Sequence, residues 1–250
     1  MCDAKLEDGT LDREELLQAK TIFIKSDLLA HYLKRETDLF RNKIVIAGNG
    51  DTNFDSPSMF ASKVKALLAQ NMVFNNHSNF YTIPIGLENL RLRGSGYPRY
   101  HQQVRNFAFN EKVLVPPMGM SNPVRHEIME KVTSNISLFY VSQSRLPRRK
   151  YFELVQRFRF VLALEGNGFD THRLWEILYQ GSFPIVFYSD WMKSLDYLGL
   201  PIFKVEDLRE INKKSLVDFL EKNAEYEPSR AETLWAPYWK TFITKLSADI

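Results

Sequence analysis

Short apolar runs of strand length alternate with amphipathic stretches along nearly the whole chain, and this alternation limits the fold more than any other feature. In the first half the runs fall at residues 21–25 (TIFIK), 43–47 (KIVIA), 72–74 and 81–83. In the second half they fall at 112–116, 137–141, 158–164, 183–187 (FPIVF) and 202–205. Stretches with apolar residues at helical spacing lie between them. They predict helices over 26–39 with Ser26 or Asp27 as N-cap, 58–70, 123–133 and 148–157, one starting at Asp170 or Thr171, and then 190–198, 206–222 and 229–247. Apolar strands alternating with helices build parallel βαβ units. The alternation restarts near Glu111, after an irregular stretch broken by Gly-Ser-Gly-Tyr-Pro. The expected fold class is therefore α/β, with two Rossmann-like lobes, residues 1–110 and 111–250, each carrying a parallel sheet and facing the other across a cleft. One continuous doubly wound sheet is the competing layout.

The remaining bulk features remove whole classes of function. The chain has 250 residues, with Lys+Arg 33 against Asp+Glu 30, a net charge of +3. That is too near neutral for a dedicated nucleic-acid or membrane-surface protein. Its one cysteine, Cys2, excludes an internal disulfide framework and a cysteine-rich zinc site. No apolar run approaches the roughly 18–20 residues of a membrane span. The acidic, polar first residues lack a signal-peptide core, so a cytoplasmic location without a transmembrane segment is expected.

The stretch 158–186 concentrates the chemistry. An apolar strand delivers Glu165 to its C-terminal end, where ligands sit in open α/β sheets. Gly166-Asn167-Gly168 then lets the backbone turn tightly, and Asp170 or Thr171 opens a helix whose free N–H groups and positive end face the same crevice. Arg173 lies in that first turn, where a cation opposes the helix dipole unless an anion balances it. His172 and Glu176 stand four apart on one helical face. These residues read either as a phosphate site or as an ordinary turn with a solvated Arg–Glu face. Neither G-x-G-x-x-G nor G-x-x-x-x-G-K-[ST] occurs, which argues against a nicotinamide dinucleotide and against P-loop chemistry.

The run 165–176 (EGNGFDTHRLWE), followed by 181–186 (GSFPIV), resembles the exostosin-like glycosyltransferases. The likeness extends to Ser121-Asn122-Pro123 and Arg125, and more loosely into the first half around 24–27, 46–51, 74–76 and 84–89. The resemblance implies a GT-B architecture in which the second lobe holds a nucleotide-sugar donor, the acceptor is a glycan, glycolipid or glycoprotein, and the last helix crosses back to the first lobe. It also implies transfer with inversion. Eukaryotic exostosins carry an N-terminal membrane anchor, and none is expected here.

On that reading the donor site comprises Ser121, Asn122, Arg125, Glu165, Gly166, Asn167, Gly168, Asp170, Thr171, His172, Arg173 and Glu176. Arg125 and Arg173 are candidates for the diphosphate, because guanidinium groups make bidentate, permanently charged contacts with phosphate oxygens. Arg125 reads as well as a solvated helix residue. Glu176 would accept from ribose hydroxyls and Glu165 would contact the sugar or orient Arg173, or each pairs structurally with a nearby arginine. The proton acceptor is expected from the opposite lobe. Asp51, in a glycine turn after the 43–47 strand, is the first candidate, with Asn49 beside it for the acceptor hydroxyl, and His77 is the second. Asn49-Gly50-Asp51 is also simply a favourable turn. Arg145, Arg148 and Arg149 read as a solvated basic face or as an approach for the nucleotide. The five histidines are scattered and no Asp-x-Asp lies in the cleft segments, so no metal cofactor is expected. The alternatives are a non-catalytic glycan- or nucleotide-binding protein on the same fold, and a nucleotide-dependent enzyme such as an epimerase.

Overall fold

A computed structural model describes residues 2–10, 12–54, 60, 62–73, 78–90, 96–97, 100–101, 109–119, 123–135, 137–142 and 146–248. It contains two separate five-stranded sheets, each parallel throughout. The expected two-lobe α/β class is the observed one, and the single continuous sheet is not.

The first sheet runs in simple chain order: β1 (Ala4–Leu6), β2 (Thr21–Lys25), β3 (Ile44–Gly48), β4 (Ala66–Ala69) and β5 (Phe80–Thr82). Right-handed crossovers that always step the same way deposit every connection on one face. The packing agrees. Helices α1 (Arg13–Gln18), α2 (Ser26–Arg35) and α3 (Thr37–Phe40) join Phe54, Phe60 and Val64 against Ile22, Ile24, Val45, Ala47, Leu67 and Ala69. The alternate residues Ile44, Ile46, Ala66 and Leu68 point to the other face, which among the described residues no helix of the first half covers.

The second sheet has the order β10-β9-β8-β6-β7. Its elements are β6 (Asn110–Val115), α4 (Pro123–Thr133), β7 (Phe139–Val141), α5 (Arg148–Val155), β8 (Phe158–Leu162), α6 (His172–Tyr179), β9 (Phe183–Phe187), α7 (Asp190–Lys193), β10 (Phe203–Val205) and α8 (Lys213–Lys222). The chain steps outward from β6 to β7, then returns to place β8 on the other side of β6. That is a doubly wound order, with α5 and α6 residues on one face and α4 and α8 residues on the other.

Helix α9 (Ala236–Ala248) resolves the bare face of the first sheet. Ile243, with Phe242 and Leu246, packs against Ile44, Ile46, Ala66 and Leu68, and Phe242 meets Tyr81 edge-on with ring centroids 4.9 Å apart. The end of the chain thus completes the core of its beginning. Ile243→Ala is expected to destabilise the protein by about 2–5 kcal/mol, the usual loss for a buried isoleucine. Urea denaturation checks it, since an exposed side chain at this position would leave the midpoint nearly unchanged.

Several local expectations change. Residues 58–70 were expected to be helical, but Ala66–Ala69 is a fully buried strand paired with β3 and β5. A four-residue apolar run buried on both faces has no period that separates strand from helix. The acidic, polar first residues hold a strand, β1, which their polar surroundings hid. Neither Ser26 nor Asp27 is an N-cap; Lys25 takes that position without a side-chain bond, and Ser26 already lies inside the helix. Among the described residues no helix is long and apolar enough to cross a membrane.

Candidate functional site

In a doubly wound sheet the crevice opens where the winding reverses, here between the C-terminal ends of β6 and β8. Two arginines meet in it. Arg125, in the first turn of α4, donates through Nη1 to the carbonyl of Gly119 at 2.7 Å, through Nε to that of Glu165 at 2.8 Å and through Nη2 to that of Leu164 at 3.3 Å. Arg173, in the first turn of α6, reaches back across the crevice to the carbonyl of Pro117 at 2.9 Å. The two loops are therefore strapped together in both directions. Burial, and then the charge of Arg173, lower the affinity of Arg125 for its proton. Nη1 of Arg173 is buried without a hydrogen-bond partner among the described residues, and the guanidinium carbon lies 5.6 Å from the centre of the Tyr151 ring. Among the described residues neither Arg125 nor Arg173 has a carboxylate partner.

A cavity of about 70 Å³ adjoins Arg125, lined also by Glu165, Thr171, Leu174, Val186 and Phe187 among others. Burial pushes the Glu165 carboxyl above its ordinary range, against an opposing hydrogen bond from Ser189. Thr171 holds the N-cap position of α6 but makes no side-chain capping bond. The first turn of that helix therefore keeps its positive end free of a capping side chain. Gly166 donates its N–H to the Gly168 carbonyl at 3.1 Å, closing the tight turn, and Asn167 is exposed at its tip.

The residues after this turn face the other lobe. Asp170 is only 5% exposed and is not a cap. Its Oδ2 accepts from the Ile85 N–H and its Oδ1 from the Trp175 indole, both at 2.6 Å. The Asp170 N–H donates in turn to Oδ1 of Asn71 at 2.6 Å. A Cβ at Gly168 would stand 2.9 Å from the Asn71 amide and would have to displace it. Burial pushes the Asp170 carboxyl up to about 7, while the Ile85, Trp175 and Thr171 N–H donors pull it down. Glu176 is buried and accepts from Arg148 at 3.2 Å, and Arg148 also reaches Glu88 of the first lobe at 3.0 Å. Glu176, read as a ribose contact or as a carboxylate paired with an arginine, makes an arginine pair here. Arg148 is a bridge between lobes rather than a free basic face.

A second, wider space of about 520 Å³ lies between the lobes, lined by Lys25, Asp27, Asn49, Asp51, Glu88 and His172 among others. That volume falls in the range of small-molecule sites. Asp51 is exposed there and has no hydrogen bond or ion pair among the described residues. Asn49 has φ +58°, and its amide donates to Glu7 at 3.1 Å, so its side chain holds the β1 loop. Asp27 is held below its ordinary range, chiefly by the Thr52 hydroxyl and then by Lys25. His172 Nδ1 lies 2.8 Å from the Gly86 carbonyl. His77, Ser121, Asn122 and Arg145 lie outside the described residues.

The structure therefore brings together Arg125, Glu165, Gly166, Thr171 and Arg173 at one crevice, and Asp51 and His172 at the neighbouring cleft. It assigns Asp170, Gly168 and Glu176 to the joint between lobes. Sequence reasoning missed Asn71 and gave Ile85 and Gly86 no role beyond the 84–89 likeness, because their partners lie far along the chain. Among the described residues no group of three or more His, Cys, Asp or Glu side chains is arranged to hold a metal. No protein-family model matches this chain, and no curated protein sequence matches it.

Proposed function

We propose that this protein is a glycosyltransferase that moves a sugar from a nucleotide-sugar donor to a glycan acceptor, with inversion and without a metal. The observation that carries the proposal is the pair of guanidinium groups without carboxylate partners at the switch-point crevice, beside the uncapped start of α6. Two adjacent cations without carboxylates are costly unless an anion balances them. A diphosphate leaving group supplies that anion, and its charge grows as the glycosidic bond breaks. Preorganised cations and N–H dipoles stabilise such developing charge more than they stabilise the ground state. The nucleotide sugar would bind on the second sheet, and the acceptor in the cleft lined by Asp51 and His172. The resemblance of residues 165–186 to exostosin-like enzymes supports the same assignment.

The test is turnover by the purified protein with a panel of nucleotide sugars, followed as release of nucleoside diphosphate with and without glycan acceptors. Release with at least one donor is expected, and EDTA is expected to leave the rate unchanged. Loss of activity on chelation, restored by Mn²⁺, would overturn the metal-independent part. Donor binding without release would favour a non-catalytic nucleotide- or glycan-binding protein on the same fold.

A further inference from the structure

Within the glycosyltransferase reading, on which this step rests, we infer that His172, rather than Asp51, takes the proton from the acceptor hydroxyl, and that the opposite lobe sets its tautomer. The Gly86 carbonyl lies 2.8 Å from Nδ1 of His172. A carbonyl oxygen only accepts, so Nδ1 carries the hydrogen and donates it. In a neutral imidazole the lone pair then belongs to Nε2. Gly86 has φ +66°, in the left-handed region, yet among the described residues nothing lies within 4 Å of where its Cβ would stand. Glycine is therefore needed for the backbone direction rather than for space, and that direction aims the carbonyl at His172.

The position suits the chemistry. His172 lines the cleft between lobes, while its chain neighbour Thr171 lines the cavity beside Arg125, and Arg173 follows directly. The start of α6 thus separates a space facing the acceptor from a space facing the diphosphate. In the displacement, the acceptor oxygen forms a bond to the anomeric carbon and the bond from that carbon to the diphosphate oxygen breaks. The bonding pair leaves with the diphosphate beside Arg125 and Arg173, and the hydroxyl proton passes to Nε2. The charged groups facing His172 across the cleft are Lys25, Asp27, Asp51 and Glu88. Of these, Lys25 and Asp27 pair at 3.0 Å, and Glu88 pairs with Arg148. Asp51 has no bond among the described residues to fix its carboxylate, whereas a base works best when held in one geometry.

The full-length protein, H172Q and D51N are compared with the best donor over a pH series, with donor affinity measured by calorimetry and folding by thermal denaturation. H172Q is expected to lower kcat by about 10²–10⁴-fold with donor affinity retained. It should also lose the acid limb of the kcat profile, which D51N keeps whatever its rate. A kcat reduced less than roughly tenfold in H172Q with the limb intact, or loss of the limb in D51N, overturns the assignment alone. If H172Q does not fold, ¹⁵N resonances of the wild-type imidazole decide. An Nδ1–H tautomer is required, and an Nε2–H tautomer overturns the inference. Wild-type protein that binds donor but transfers nothing overturns the glycosyltransferase reading and the base with it.

Discussion

Asp170→Ala is expected to destabilise the protein by about 1–5 kcal/mol, because it strands one buried donor, which loses roughly 1–3 kcal/mol when left unpaired, and one part-buried donor, which loses less. Those donors are the Ile85 N–H and the Trp175 indole, and the first belongs to the other lobe. A urea midpoint moved by less than about 1 kcal/mol equivalent would mean that solvent replaces both bonds and that the joint is open. The same carboxyl gives a pH signature. Its affinity for a proton is raised in the folded state to about 7, from an ordinary value of 3.8, with burial as the leading cause. The folded protein then holds a proton that the unfolded chain has released. Stability from this group is fully present below about pH 4 and is lost as pH rises through about 7, at no more than about 1.4 kcal/mol per pH unit. Asp170→Asn removes the titration. The stability difference between wild type and D170N should therefore shrink, or reverse, between pH 4 and 7. A difference that is flat with pH would show that the three N–H donors outweigh burial and keep the carboxylate ionised.

Elements carried by local pattern were readable from the chain, and elements carried by distant contacts were not. The apolar runs at Thr21–Lys25 and Phe183–Phe187 are strands with the expected ends, and Pro123–Thr133 is the expected helix. Each is long enough for its pattern to speak. Ala66–Ala69 is not, since both faces of a short buried strand are apolar. The crevice was equally legible, because an arginine in the first turn of a helix after a glycine turn is a local anomaly. Asp170 shows the opposite case. The rule that aspartate starts helices is local, but Ile85 and Trp175 claim its oxygens and leave Thr171 in the cap position. Asn71 and Gly86 meet their partners 99 and 86 residues away. Both take positive φ, but only the lobe opposite explains why.

Arg173→Met is expected to separate stability from binding, which an arginine with a purely structural role would not do. Its Nη2 bond to the Pro117 carbonyl is a charged hydrogen bond of about 1.5–3 kcal/mol, and the variant loses it. The variant also removes the buried, unpartnered Nη1, whose desolvation costs about 1–3 kcal/mol, and relieves the repulsion between Arg173 and Arg125. These terms nearly cancel, so the melting temperature should change little. Affinity for a nucleoside diphosphate should instead fall by about 1.5–3 kcal/mol, roughly 10–150-fold in Kd. Arg125→Ala should differ, since it leaves the carbonyls of Gly119, Leu164 and Glu165 without their donor and loses stability as well as affinity. The two sites share one anion, so the double variant should lose less affinity than the sum of the single losses. Calorimetry with a nucleoside diphosphate on both single variants and the double decides this. Unchanged affinity in folded Arg173→Met would remove that residue from the phosphate role, and strictly additive losses would mean that the two guanidinium groups do not hold the same phosphate.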